Sequence, residues 1–239
     1  MWDRKELKAK GKAAFRRNYW SSVVAAFIAM AIVGGGAGAA SSTTSNASAE
    51  QTAEVRQMLE GVPVEGILLI LLALIGIGAM ITLVVTIISG LLFNPLKVGC
   101  SRFFLTNADS PAKLGELAYG YKSNYGNMVK TLLIRDAFLW LWGLLFVIPG
   151  LIKAYSYRMV PYILAENPNM GSLEAITLSR QMMDGHKWNT FILDLSFLGW
   201  DILTFFTLGL AGLLYAGPYQ FATGAELYKS IRDISSVAV

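Results

Sequence analysis

Four charged side chains stand where charge is costly. Arg135, Arg158, Asp194 and Asp201 each lie within a largely apolar run, and an ionised group inside a membrane segment costs ~2.5 to 3.5 kcal/mol on insertion scales. Such groups either pair with opposite charge and fix helix packing, or line a polar path for protons, cations or a cationic substrate. Asp194 and Asp201 are seven residues apart, which places both on one face of a continuous helix. Depth counted at ~1.5 Å per residue matches Arg158 to Asp201 near one surface and Arg135 to Asp194 near the other. Two stacked ion pairs are therefore expected, with Asp136 a competitor for Arg135.

The remaining reactive residues argue against catalysis. His186 is the single histidine, in Asp184-Gly185-His186-Lys187, so a His-pair zinc motif is excluded and a solvated loop is the simpler reading. No Gly-x-Ser-x-Gly element surrounds any serine, as a serine nucleophile at a strand-to-helix elbow requires. Gly115, Gly120 and Gly126 lack the strand and spacing of a phosphate loop. The lone Cys100 cannot form an intramolecular disulfide and reads as a packing residue. Neither an enzyme nor a cofactor or metal is expected.

The elements that carry these residues are legible from charge. Of 239 residues, 54% are hydrophobic and 15% charged, against roughly 25% charged in a soluble domain. Residues 18 to 49, 66 to 96 and 202 to 225 carry no charge, and each exceeds the ~20 residues that cross a bilayer. The pattern predicts an all-α, polytopic membrane protein rather than a soluble domain. Seven basic residues (Arg4, Lys5, Lys8, Lys10, Lys12, Arg16, Arg17) precede the first apolar run. Lys97, Arg102, Lys113, Lys122, Lys130 and Arg135 follow the second, while Arg56 stands alone among Glu50, Glu54, Glu60 and Glu65. Basic residues mark the cytoplasmic side, so the net charge of +4 is a topology signal and no nucleic-acid partner is expected.

Six spans follow, at about 19–40, 66–93, 131–148, 151–166, 189–207 and 209–228, forming one membrane domain over 19–228 with a cytoplasmic tail at 229–239. Asn94-Pro95 is expected to end the second span, leaving 96–130 as an amphipathic cytoplasmic stretch and 41–65 outside. Pro149 and Gly150 supply the chemistry of an outer hairpin turn, the alternative being one kinked span over 131–166, and Gly209 and Gly212 mark a second turn. In the inner loop 167–188, Ser172 is placed to cap a short helix that Gly185 could end. Ahead of the first span, residues 1–18 form an amphipathic helix. Arg4, Lys8, Lys12 and Arg16 recur every four positions as a cationic ridge, with Leu7, Gly11, Ala14 and Phe15 on another face. Such a ridge gains ~1 kcal/mol per basic residue near an anionic leaflet, so anionic lipid is the expected partner there.

The second half also resembles a known family. The run Ile148-Pro149-Gly150-Leu151-Ile152-Lys153-x-Tyr155-Ser156-Tyr157 is followed by Pro161-Tyr162-Ile163-Leu164-Ala165-Glu166-Asn167-Pro168 and Glu174-Ala175. Then come Ser179-Arg180-x-Met182-Met183-x-Gly185, Ser196-Phe197-x-Gly199-Trp200, Gly217-Pro218-Tyr219 and Glu226-Leu227-Tyr228. Together with the basic start ending Asn18-Tyr19-Trp20, these resemble a bacterial integral membrane family numbered nine-seven-five among the domains of unknown function. More loosely, the second half is similar to the membrane domain attached to some glycerophosphodiester phosphodiesterases, whose catalytic domain has no counterpart here. The resemblance implies a bacterial membrane module and transfers no active site, while charge bias and the count of spans place both termini on the inner side of the cytoplasmic membrane. The expected role is a non-catalytic membrane-complex, lipid-associated or regulatory component, embedded in the lipid bilayer with a membrane protein or second copy as partner. The rival is a small transporter or channel using Asp194 and Asp201.

Overall fold

The computed structural model describes residues 2–38 and 63–237. Those residues are helical and contain no strand, in agreement with the all-α expectation. Most of the expected outer loop 41–65, and the last residues of the first span, lie outside them. The chain divides into two compact units, one of Met1–Ile32 with Leu91–Val239 and one of Val33–Gly90.

In the smaller unit the described residues include most of the first part of helix α3, Val64–Asp109, since α1 is Arg4–Arg17 and α2 is Tyr19–Gly38. Leucines, isoleucines and valines from Leu68 to Ile88 are exposed. By length and composition this is the one helix among the described residues that qualifies as a membrane crossing, and apolar surface on that scale is unfavourable in water.

Helix α3 does not stop at Asn94-Pro95, as the sequence suggested. Proline removes one backbone hydrogen bond, but the following turns bury Val98, Cys100, Phe103, Phe104 and Leu105 in the core, and that burial outweighs the local break. Asn94, 1% exposed, accepts a hydrogen bond from Lys97 Nζ at 3.1 Å. Residues 96–109 are therefore a core helix and not a separate amphipathic stretch.

Within the larger unit, α1 is capped by Asp3, which accepts from the Glu6 amide. It buries Leu7, Gly11, Ala14 and Phe15, the face expected from spacing, but the helix packs against the C-terminal helix of the chain. A Cβ on Gly11 would lie 2.6 Å from Thr223 Oγ1, so the two backbones approach closely there. After a 3-10 turn at Leu114–Ala118 and the short α4 at Tyr119–Lys122, helices α5, Tyr125–Leu145, and α6, Val147–Ser156, pack as a hairpin.

The reversal falls at Phe146, in extended backbone with φ −161° and ψ 147°, three residues before the expected turn. Pro149 and Gly150 instead occupy the first turns of α6, where a missing amide hydrogen is harmless, and Gly150 packs against the backbone of Gly143. The returning arm is also interrupted, since α6 ends at Ser156 and α7, Val160–Glu166, begins after a short break. Ser179 bridges that break, donating to Ser156 O at 2.8 Å and accepting from Met159 N at 3.2 Å. Ser179 lies on α8, Ser172–Met182. Its N-cap is Gly171 and not Ser172, whose hydroxyl accepts from Thr131 Oγ1 at 2.9 Å. Gly185, with φ +71°, sits in the turn beyond.

The expected span 189–207 is two helices, α9 at Lys187–Leu195 and α10 at Leu198–Phe206. The chain then reverses through Leu208 (φ +52°) and Gly209 (φ +91°), where the sequence placed a turn. A π-helical segment at Gly212–Ala216 leads into α11, Gly217–Val237. The tail from 229 is thus a continuation of α11 through residue 237.

Candidate functional site

The charged residues do meet, but in different pairs from those expected. Arg158 Nη1 contacts Asp194 Oδ2 at 2.5 Å, and the Tyr155 hydroxyl donates to the same oxygen at 3.0 Å. Tyr155 and Arg158 straddle the end of α6, and Asp194 lies on α9, which packs against α6. Asp201 is not Arg158's partner: exposed on α10, it accepts from Gln220 Nε2 of α11 at 2.9 Å. Arg135 is held by Asp136, its Nη2 2.6 Å from Oδ1, as the competing arrangement required. Lys97 approaches the other Asp136 oxygen at 3.9 Å, and burial pushes the Lys97 amine below its ordinary pKa, against the pull of Asp136.

The physical reason for the exchange is the break at Ser196 and Phe197. Seven residues restore a helical face only in an unbroken helix. Here Asp194 faces the α6 cluster while Asp201 meets α11.

The cationic ridge also divides. Arg4 and Arg16 are exposed and Lys12 is half-buried, but Lys8 is drawn inward, its Nζ 3.2 Å from both Ser196 O and Ser196 Oγ. Arg17 donates to Asn107 O at 2.6 Å, and Asn18 donates to Asn107 Oδ1 and Ala112 O. These bonds tie the first helix pair to the C-terminal end of α3.

A further charged cluster went unread in the sequence. Arg102, Asp109, Glu166, Lys229 and Arg232 line a pocket of about 310 Å³. Lys229 pairs with Asp109 and Arg232 with Glu166, while the Tyr228 hydroxyl donates to Glu166 at 2.7 Å. Arg102 donates to Ala165 O at 2.9 Å, stacks near Tyr119 and lies 3.6 Å from Glu116. Three helices and a connecting turn thus meet through charge. The signal available was the presence of Glu166 and Tyr228 among the residues that carry the family resemblance.

His186 sits half-exposed beside the Trp2 ring, with centroids 6.4 Å apart, and desolvation pushes its pKa down. Cys100 is buried and its thiol is pushed up to about 12. No group of three or more potential metal ligands occurs among the described residues.

The family model described as "Protein of unknown function (DUF975)" matches residues 52–235. The chain belongs to that family. The match takes in the Arg158–Asp194 pair, the hairpin at Phe146 and the charged pocket, whereas α1 precedes it. No curated protein and no solved structure matches the chain, so the looser likeness to the phosphodiesterase membrane domain gains nothing.

Proposed function

We propose that the protein is a non-catalytic, six-span membrane component of the cytoplasmic membrane whose intramembrane charge holds helices together. The observation that carries this reading is the engagement of Asp194 by Arg158 and Tyr155. A carboxylate serving as an ion-coupling site must exchange its partner during transport, whereas one that fixes packing keeps it.

Proximity favours the six-span topology as well. Charge bias assigns residues 1–18, 94–130, 167–188 and the C-terminal tail to one side. Arg17 reaches Asn107, Lys229 reaches Asp109, and Trp2 packs beside His186. On this topology the Phe146 and Leu208 reversals face the other side, and the exposed Arg4 and Arg16 are free to meet anionic headgroups.

The test is a double-mutant cycle on the purified full chain. Asp194→Ala is expected to lower the unfolding midpoint, and Arg158→Ala in the same chain to restore part of the loss. Additive losses would remove the structural role. A transporter remains the second reading because Asp201 is exposed on α10. Proton- or cation-driven uptake in vesicles that Asp201→Asn abolishes would favour it.

A further inference from the structure

The break between α9 and α10 is more than an interruption. Ser196 lies at the C-terminal end of α9, where helix carbonyls carry the negative end of the macrodipole and attract cations. Its hydroxyl donates to Leu193 O at 2.6 Å, which leaves the oxygen lone pairs available to accept. Next in sequence, Phe197 is 3% exposed and turns its ring toward the same point.

Lys8 fills that point. Its Nζ lies 3.2 Å from each of the two Ser196 oxygens, 4.3 Å from the Phe197 centroid and 5.9 Å from that of Tyr219. Two acceptors and two ring faces suit an ammonium, which has three donors and concentrated charge. A planar guanidinium, with its donors in a fixed fork, suits the arrangement less well.

We propose that this break is a binding box for a primary ammonium group and that Lys8 is its built-in occupant, keying α1 to the broken helix. The box draws on three separate parts of the chain: α1, the α9–α10 junction and α11. The four ridge residues are therefore unequal, since one holds the helix in place while Arg4 and Arg16 point outward. The inference does not depend on how the chain crosses a membrane or on the fate of Asp194.

The experiment uses the full-length protein in detergent. Replacing Lys8 by Ala removes what propylammonium can replace, so Lys8→Ala is expected to lower the unfolding midpoint by about 2–4 °C. Propylammonium chloride should recover at least half of that loss in Lys8→Ala, and leave wild type unchanged. Sodium chloride at equal ionic strength and propanol at equal concentration should recover none. Lys8→Met, which keeps the stem and drops the charge, should lose stability without rescue. An equal response of wild type and Lys8→Ala to propylammonium would overturn the box, as would a Lys8→Met chain as stable as wild type. Should Lys8→Ala fail to fold, Ser196→Ala and Lys8→Met decide the matter. Their combination should lose less than the sum of the two single losses, and additive losses would overturn the proposal.

Discussion

Asp194 accepts from two donors that flank the end of α6, so its removal leaves Arg158 without a counter-charge. Arg158 and Asp194 retain 30% and 38% of their side-chain exposure. Asp194→Ala should therefore cost between the ~1 kcal/mol of an exposed pair and the ~3–5 kcal/mol of a broken buried one. Asp201→Ala, which loses a single hydrogen bond from Gln220, should cost about 1 kcal/mol or less. Chemical denaturation in detergent would rank the two, and the reverse order would refute the assignment. His186 offers a pH test. Burial lowers its folded pKa, so near pH 6.5 the unfolded chain binds more protons than the folded one, and stability rises with pH. The protein should be most stable above pH 6.5 and lose stability as pH falls toward the lower folded value; His186→Asn should flatten that slope in a midpoint-versus-pH series. Charge identity at these positions was readable from residue type, because ionised groups in apolar runs are rare. Charge pairing was not, because depth counting assumed straight helices and the Ser196–Phe197 break shifts everything after it.

Helix boundaries follow the same division between local and tertiary causes. The buried face of α1 was legible because spacing alone defines it, but its cover, α11, lies about 200 residues away in sequence and leaves no local trace. Pro95 and Pro149 both read as breakers, yet each lies within a helix, at the inner part of α3 and near the start of α6. Glycines separate close approach from permissiveness. A Cβ on Gly99 would run into the Leu117 carbonyl, and one on Gly120 into that of Pro95, whereas one on Gly76 meets nothing. Gly99→Ala should therefore destabilise by at least about 1–3 kcal/mol, the cost of overpacking. Gly76→Ala should leave the unfolding midpoint unchanged or slightly higher, since alanine is the better helix former. Equal effects would mean that the α3 contact with Leu117 is not tight.

At the scale of the molecule, the proposed topology makes a labelling prediction that the protein itself simplifies. The buried Cys100 thiol, pushed up to about 12, supplies almost no thiolate at neutral pH, so introduced cysteines can be read without replacing it. Cysteines at 110, 180 and 229 should label from the cytoplasmic side, and those at 146 and 208 should not label from that side. Labelling of 180 from outside alone would leave one kinked crossing in place of the hairpin. The two reversals have a practical consequence. Phe146, Val147 and Ile148 crown one tip, and Phe205, Phe206 and the 95% exposed Leu208 crown the other. On the proposed topology, tips so apolar would sink into the headgroup layer instead of rising into water. A protease or antibody approaching from outside would find both corners submerged.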